Sequence, residues 1–406
     1  MPLALLTPTL PGTGGELKRS PEDFRVDEVP LYLPCGEGEH LYLRVWKRGI
    51  ATFEAVRRIA AALRVDERSV SYAGLKDARA ITTQWICVPG EAEERAKELS
   101  VPGLSVLEAK RHTNKLRLGH LRGNRFSLVV RGAEADAVER AEAILDVLVR
   151  RGAPNYFGEQ RFGTRGQGHL CGEAIVRRDY EAFVHHLVGG PPGLERDPRL
   201  HEARELFNAG RVQEAYDAMP MKHRTEKKCL HALIRFGDYE RAYFSIPKRM
   251  RQMYLASFQS ELFNRVLDRR IGDLDRVQQG DWAYLHRNGA LFRVKDPGVE
   301  APRCAAFEIS PSGPIFGTAT PPAEALPGAA EQAVLREAGM EGLDLDVGGG
   351  LRIRGERRPL RMPLREVALA ELDPAGYRIE FHLPSGCFAT SVMREVIKGG
   401  DRAERP

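Results

Sequence analysis

Cysteine is sparse and scattered. The chain of 406 residues has six, Cys35, Cys87, Cys171, Cys229, Cys304 and Cys387. None forms a Cys-x-x-Cys pair or joins histidines at ligand spacing, so neither a disulfide framework nor a zinc site is suggested. That usage fits a reducing, cytosolic setting. Long apolar runs are missing too: no segment reaches the length that spans a bilayer. The N-terminus shows no charged-then-apolar leader pattern. There is no internal repeat, no low-complexity block, no P-loop, no His-Glu-x-x-His and no Gly-x-Ser-x-Gly, which sets aside several common enzyme classes.

What is present begins with size. A chain this long exceeds one ordinary core, so two domains are expected, and a hydrophobic fraction of 42% can fill them. The net charge of +5 is mildly basic and identifies no partner by itself. The most suggestive stretch is Ala73-Gly-Leu-Lys-Asp-Ala-Arg-Ala-Ile-Thr-Thr-Gln-Trp-Ile-Cys-Val88. Asp77 is its one acid, flanked by Lys76 and Arg79 on a Gly-containing loop that leads into the short β-prone run Trp85 to Val88. Neighbouring cations keep a carboxylate ionised, and an ionised carboxylate at a fixed point can act as a nucleophile or a base. The plain alternative is a surface turn with a charge pair.

Along the chain, Met1 to Gly15 reads as a flexible lead-in. Phe24 and Val26 alternate with Arg25 and Asp27 as in a half-buried strand, and His40 to Trp46 alternates in the same way. Thr52 suits the N-cap of a helix whose apolar stripe is Phe53, Val56, Ile59, Ala60 and Leu63. Lys110 to Arg125 carries six Lys and Arg residues and no acid, the footprint of phosphate binding or simply a solvated loop. A strand from Arg125 to Val130 and a helix from Ala137 to Arg151, closed by Gly152, follow. The Gly- and aromatic-rich connector Gly152 to Gly163 then leads into mostly helical sequence, with Tyr254 to Arg270 clearly amphipathic. A β-rich region begins near Gly280 and ends in the basic cluster Leu351 to Arg361. Tyr377 to Leu383 reads as a strand, Ser391 to Lys398 as a closing helix, and Gly399 to Pro406 as a loose tail.

Seven stretches in order, PEDFRVDE, AGLKDARAITTQ, NKLRLGHLRGNRF, PNYFGEQRFG, PSGPIFG, GERRPLR and LPSGCFATSVMRE, give the chain its resemblance to the TruD family of pseudouridine synthases. Each alone is weak; together they are specific and cover nearly the whole chain. The resemblance implies an α+β fold: a pseudouridine-synthase catalytic domain with a mixed, largely antiparallel sheet, made of residues 15–151 and 362–398. An inserted α/β TRUD domain, residues 155–361, would form the other wall of an RNA cleft. It further implies a cytoplasmic, cofactor-free and metal-free monomer that isomerises uridine to pseudouridine in RNA, at uridine-13 in the D-arm of tRNA, with no membrane association and no obligate protein partner.

Residue by residue, the family nucleophile falls on Asp77 and its basic partner on Lys18, with Lys76 a rival for that place. Substrate contacts fall on Phe24, Asn124 and Phe388, and the ring that stacks on the target base on Phe126. Taken singly, each of these phenylalanines also reads as a plain core residue. Lys115, Arg117, Arg122, Arg357 and Arg358 are expected to bind RNA phosphates. Glu22, Asp27 and Glu28 are expected to tolerate conversion to the amide. Asp77 would act either directly on C1′ or by removing a sugar proton. A non-catalytic RNA-binding or chaperone protein is the competing class, but it would need no set such as Asp77, Lys18 and Asn124. A glycosidase would need a second carboxylate paired with Asp77, and the sequence offers none.

Overall fold

Alternating strands build the largest of the three sheets among the described residues. The structure, a computed structural model, describes residues 3–191, 197–342, 347–348, 350–351, 353–372 and 376–398. The tail Gly399 to Pro406 lies outside them. The chain divides into two compact units, each described on its own. Of the described residues, one unit comprises 5–153 and 362–372 with 376–398; the other lies chiefly within Pro154–Arg361.

In the first unit the strand order is Arg365–Leu372, Gly376–Pro384, Leu121–Ala133, Phe24–Pro30, Ile81–Pro89, His40–Arg48, Leu104–His112. Every pairing along this path is antiparallel except that of Phe24–Pro30 with Ile81–Pro89, so the sheet is mixed and largely antiparallel. In the Phe24–Pro30 strand Phe24, Val26 and Glu28 are buried while Arg25 and Asp27 are exposed, the period of two that a one-sided strand demands. The helix Thr52–Leu63 lays Ala55, Val56, Ile59, Ala60 and Leu63 on Leu41, Leu43 and Val45 of the neighbouring strand. Phe53 is not in that stripe; it stands half exposed. Nor is Thr52 the N-cap. Ala51 takes that place, and the Thr52 hydroxyl accepts the Lys76 N–H at 2.9 Å and donates to Gln84 Oε1 at 3.0 Å.

The N-terminal lead-in is packed as well. Leu6 and Thr7 donate their main-chain N–H groups to the buried Glu395 carboxylate, and Thr13 N–H bonds Val396 O at 2.9 Å. Sequence pattern misses this because the segment is held by main-chain bonds to a distant acid, which leave no apolar period.

The second unit is mostly helical. Its long helix Lys248–Arg269 crosses Gly168–Arg177 closely enough that a Cβ on Gly172 would lie 2.2 Å from Tyr254 O; only glycine permits that approach. A four-stranded antiparallel sheet, ordered Leu291–Arg293, Trp282–Leu285, Ile309–Ile315, Glu356–Pro359, accompanies the helices. Asn155 and Leu360, near the unit's two ends, are joined by a main-chain hydrogen bond of 2.9 Å.

One buried polar cluster ties the loop around Asp77 to the first sheet. Lys76 Nζ meets Glu28 Oε2 at 2.6 Å with both side chains almost wholly buried, and the other Glu28 oxygen accepts Trp85 N–H. Glu28 therefore does not resemble Asp27, which is exposed, and the expectation that both tolerate an amide is corrected. Removing one partner of a buried pair strands the other charge and costs about 3–5 kcal/mol. Glu28→Gln is expected to lower unfolding stability by that order in a denaturant titration, while Asp27→Asn stays within about 0.5 kcal/mol of the parent.

Candidate active site around Asp77

Asp77 lies on the loop just before Ile81–Pro89. Lys18 Nζ reaches its Oδ2 at 2.6 Å, and the Arg79 N–H reaches its Oδ1 at 3.0 Å. Lys76 is turned away to Glu28, so of the two candidate lysines it is Lys18 that touches Asp77. The pair is partly buried, 18% and 25% exposed by side chain. Burial alone would raise the Asp77 pKa. The Lys18 charge and hydrogen bond, the Arg79 N–H and the more distant Lys47 charge together outweigh it and hold the carboxyl below its ordinary value. Asp77 is thus a half-buried carboxylate that stays ionised.

Lys18 adopts a left-handed backbone, φ 59°, a conformation that disfavours side chains other than those of Gly, Asn and Asp. From there its ammonium also lies 4.2 Å from the centroid of the Phe24 ring. Strain of this kind gathers where geometry serves function.

The register places the other residues on the same sheet face. Phe24, Val26 and Glu28 share one side of their strand, and Val26 stands opposite Phe126 and Glu28 opposite Asn124. Phe24 and Phe126 meet edge to face at 6.3 Å, and Phe381 covers the far side of Phe126 at 5.4 Å. Both Phe24 and Phe126 are nearly buried; Phe388, just before the helix Ala389–Ile397, is 37% exposed. In this conformation Phe126 has its ring occupied by two others, and Phe388 is the ring that faces solvent. Asn124 Oδ1 is buried and finds no hydrogen-bond partner among the described residues. A buried amide oxygen left unpaired calls for a partner.

The basic residues separate into two kinds. Arg117 and Arg122 are exposed and Lys115 half-buried, and none of the three side chains has an ion pair or hydrogen bond among the described residues. Their loop is stitched to the Asp77 loop through Gly119 N–H and Ala73 O at 2.9 Å. Arg357 differs, and its reading as a phosphate ligand is corrected; Arg358 is half-buried. The Arg357 guanidinium is fully buried against Glu331 at 2.6 Å and the Ser312 carbonyl. Arg358 donates to Asn155 Oδ1 and stacks 4.3 Å over Phe157. Both fasten the second unit internally; a basic run in the sequence does not reveal which way its side chains turn.

Four residues that support the site are not assigned to it from the sequence: Glu28, read as a tolerant acid, Thr52, read as a cap, Lys47 and Gln84. Gln84 Nε2 donates to Gly74 O at 3.3 Å and completes the support under the loop. A signal existed for two of them. Glu28 continues the buried series Phe24, Val26, and Lys47 continues Leu41, Leu43, Val45, each a charge at a core position.

The family model described as tRNA pseudouridine synthase D (TruD) matches residues 3–396. The chain belongs to the TruD family. Its relatives named tRNA pseudouridine synthase D include those of Geobacter metallireducens, 48% identical over 396 residues (97% of this chain, 98% of the other), and Geotalea daltonii, 48% identical over 394 residues (97% and 99%). The fold matches a crystal structure described as tRNA pseudouridine synthase D (TruD) from Methanosarcina mazei, with a TM-score of 0.81 at 28% identity, covering 98% of this chain and 96% of that one. Family membership agrees with the α+β architecture seen here. Among the described residues no helix is long and apolar enough to cross a membrane.

The two kinds of arginine give a contrast to measure. In a salt titration of tRNA binding, the double variant Arg117→Ala/Arg122→Ala is expected to bind more weakly with a slope shallower by about two. Arg357→Ala is expected to leave the slope unchanged and to lose about 3–5 kcal/mol of stability, since it strands Glu331.

Proposed function

We propose that this protein converts uridine to pseudouridine in tRNA, at uridine-13 of the D-arm, with Asp77 as the essential carboxylate and no cofactor. The observation that carries the reading is the half-buried Asp77, kept ionised by Lys18 on a face that also presents the unpaired amide of Asn124. Family membership supports the reaction class.

A uridine stacked in RNA presents no route to its glycosidic bond, so it must be extruded, at a cost of a few kcal/mol. Phe388, the exposed ring, stacks on the extruded base and recovers about 1–3 kcal/mol of that. Phe24 and Phe126 form the apolar wall beside it, and Asn124 reads the polar edge of the uracil. Lys115, Arg117 and Arg122 hold flanking phosphates. Asp77 then acts at the ribose end, and the C1′–N1 bond breaks. The freed uracil turns in place, C5 bonds to C1′, and the proton lost from C5 is balanced by the one gained at N1. Water must stay out, because hydrolysis would leave an abasic sugar. A simple RNA-binding role would give no reason for a carboxylate aimed by a strained lysine.

Asp77→Asn keeps shape and hydrogen bonding but removes the charge. It is expected to fold and to bind tRNA about as well as the parent while its single-turnover rate falls by several orders of magnitude. Substantial product, or a loss that merely follows unfolding, contradicts the assignment. Because Asp77 is held below the ordinary carboxyl range, the acid limb of the parent's rate should lie below about pH 4, with activity retained above it.

A further inference from the structure

Lys47 ends the buried run of its strand and is itself 0% exposed. Its neighbours across the sheet are Thr82 on one side and Leu104 on the other, and the helix above contributes Ala55, Val56 and Ile59 to the same core; none of these carries charge. Its ammonium donates to two main-chain carbonyls, that of Ile50 and, at 3.4 Å, that of Asp77 itself. Among the described residues no carboxylate lies within ion-pair distance of it. The charged groups that face it are Asp77, with Lys18 beyond, and Lys76, with Glu28 beyond. A cation buried without a paired anion weakens a fold, so its presence here calls for another reason.

We propose that Lys47 is a positioning residue of the Asp77 site: from inside the sheet it grips the loop through the Asp77 carbonyl and supplies a second positive charge that keeps the carboxylate ionised. Lys18 approaches the same carboxylate from the more open side. When a substrate covers the site, desolvation raises the energy of the Asp77 charge, and the cation beneath it is already in place. This role rests on Asp77 being the essential carboxylate.

The burial of Lys47 has a measurable sign. Burial first, and the Lys76 charge second, push its pKa down to about 8, against the pull of Asp77. The unfolded chain therefore holds this proton more tightly, and the folded protein gains stability from this group as pH rises from about 8 to the ordinary lysine value near 10.4. At neutral pH the charged lysine opposes folding. Lys47→Met keeps an unbranched chain and removes the charge, so it should be no less stable than the parent at pH 7.

The test compares parent, Lys47→Met and Asp77→Asn in thermal melting, tRNA binding and single-turnover pseudouridine formation across pH. Lys47→Met is expected to melt at or above the parent's temperature, to bind tRNA within about twofold, and to lose about tenfold or more in rate at pH 7. Its acid limb should move to higher pH; a fall in rate is expected of the parent above about pH 8, where Lys47 loses its proton, and should be absent from Lys47→Met. A smaller loss of rate, an unmoved acid limb, or a loss that follows a fall in melting temperature overturns the role. Product from Asp77→Asn would remove the function itself; an inactive Asp77→Asn beside a fully active Lys47→Met would remove only the role of Lys47.

Discussion

A carboxylate placed where water is scarce prefers to be neutral, and the Asp77 site is organised against that preference. Partial burial favours protonation, yet the carboxyl sits below its usual range because cations and an N–H surround it. Lys18 contacts it directly, Arg79 supplies the N–H, and Lys47 acts from beneath. Holding that arrangement requires a rigid loop. The Glu28–Lys76 pair, Thr52 and Gln84 fasten residues 74–76 to the sheet and to the first helix. Loops that carry reactive groups need such scaffolds, and this one is polar and buried, which makes it exacting: a half-satisfied network is worse than none.

The same constraint accounts for features that local propensity does not. Lys18 takes a left-handed backbone that an unconstrained lysine avoids. Lys47 carries charge into an apolar face. The Asn124 amide oxygen is buried without a partner. Each costs stability locally; Asn124 and Lys47 lie on the sheet face of Phe24, Val26 and Glu28, and Lys18 rests against the Phe24 ring. Features of this kind gathered at one place mark a site whose geometry serves a ligand.

Much of the fold was legible from periodicity. The strands beginning at Phe24 and His40, the helix Ala137–Arg151 with Gly152 after it, and the strand through Tyr377 to Leu383 all follow from alternation or helical spacing. Asp77 stood out because loop chemistry and flanking cations are local. What periodicity hid were long-range polar bonds. Thr52 read as a cap because capping is the commonest use of a threonine at a helix start; its hydroxyl instead serves Lys76 and Gln84, far along the chain. Arg357 read as a free cation because its partner, Glu331, lies 26 residues away. Glu28 looked like any surface acid of its strand, although its place in the alternation put it inside. A charge at a buried position of an otherwise regular strand is the sign that would have found both Glu28 and Lys47.

Turnover at a defined uridine is what separates an Asp77 enzyme from an RNA-binding protein. The direct measurement is to incubate an unmodified tRNA transcript with the purified protein, without added metal or cofactor, and to map pseudouridine at every position. Pseudouridine at uridine-13 of the D-arm, with the other uridines unchanged, is the predicted result. Binding of the transcript with no pseudouridine at any position would contradict the account and leave an RNA-binding protein in its place.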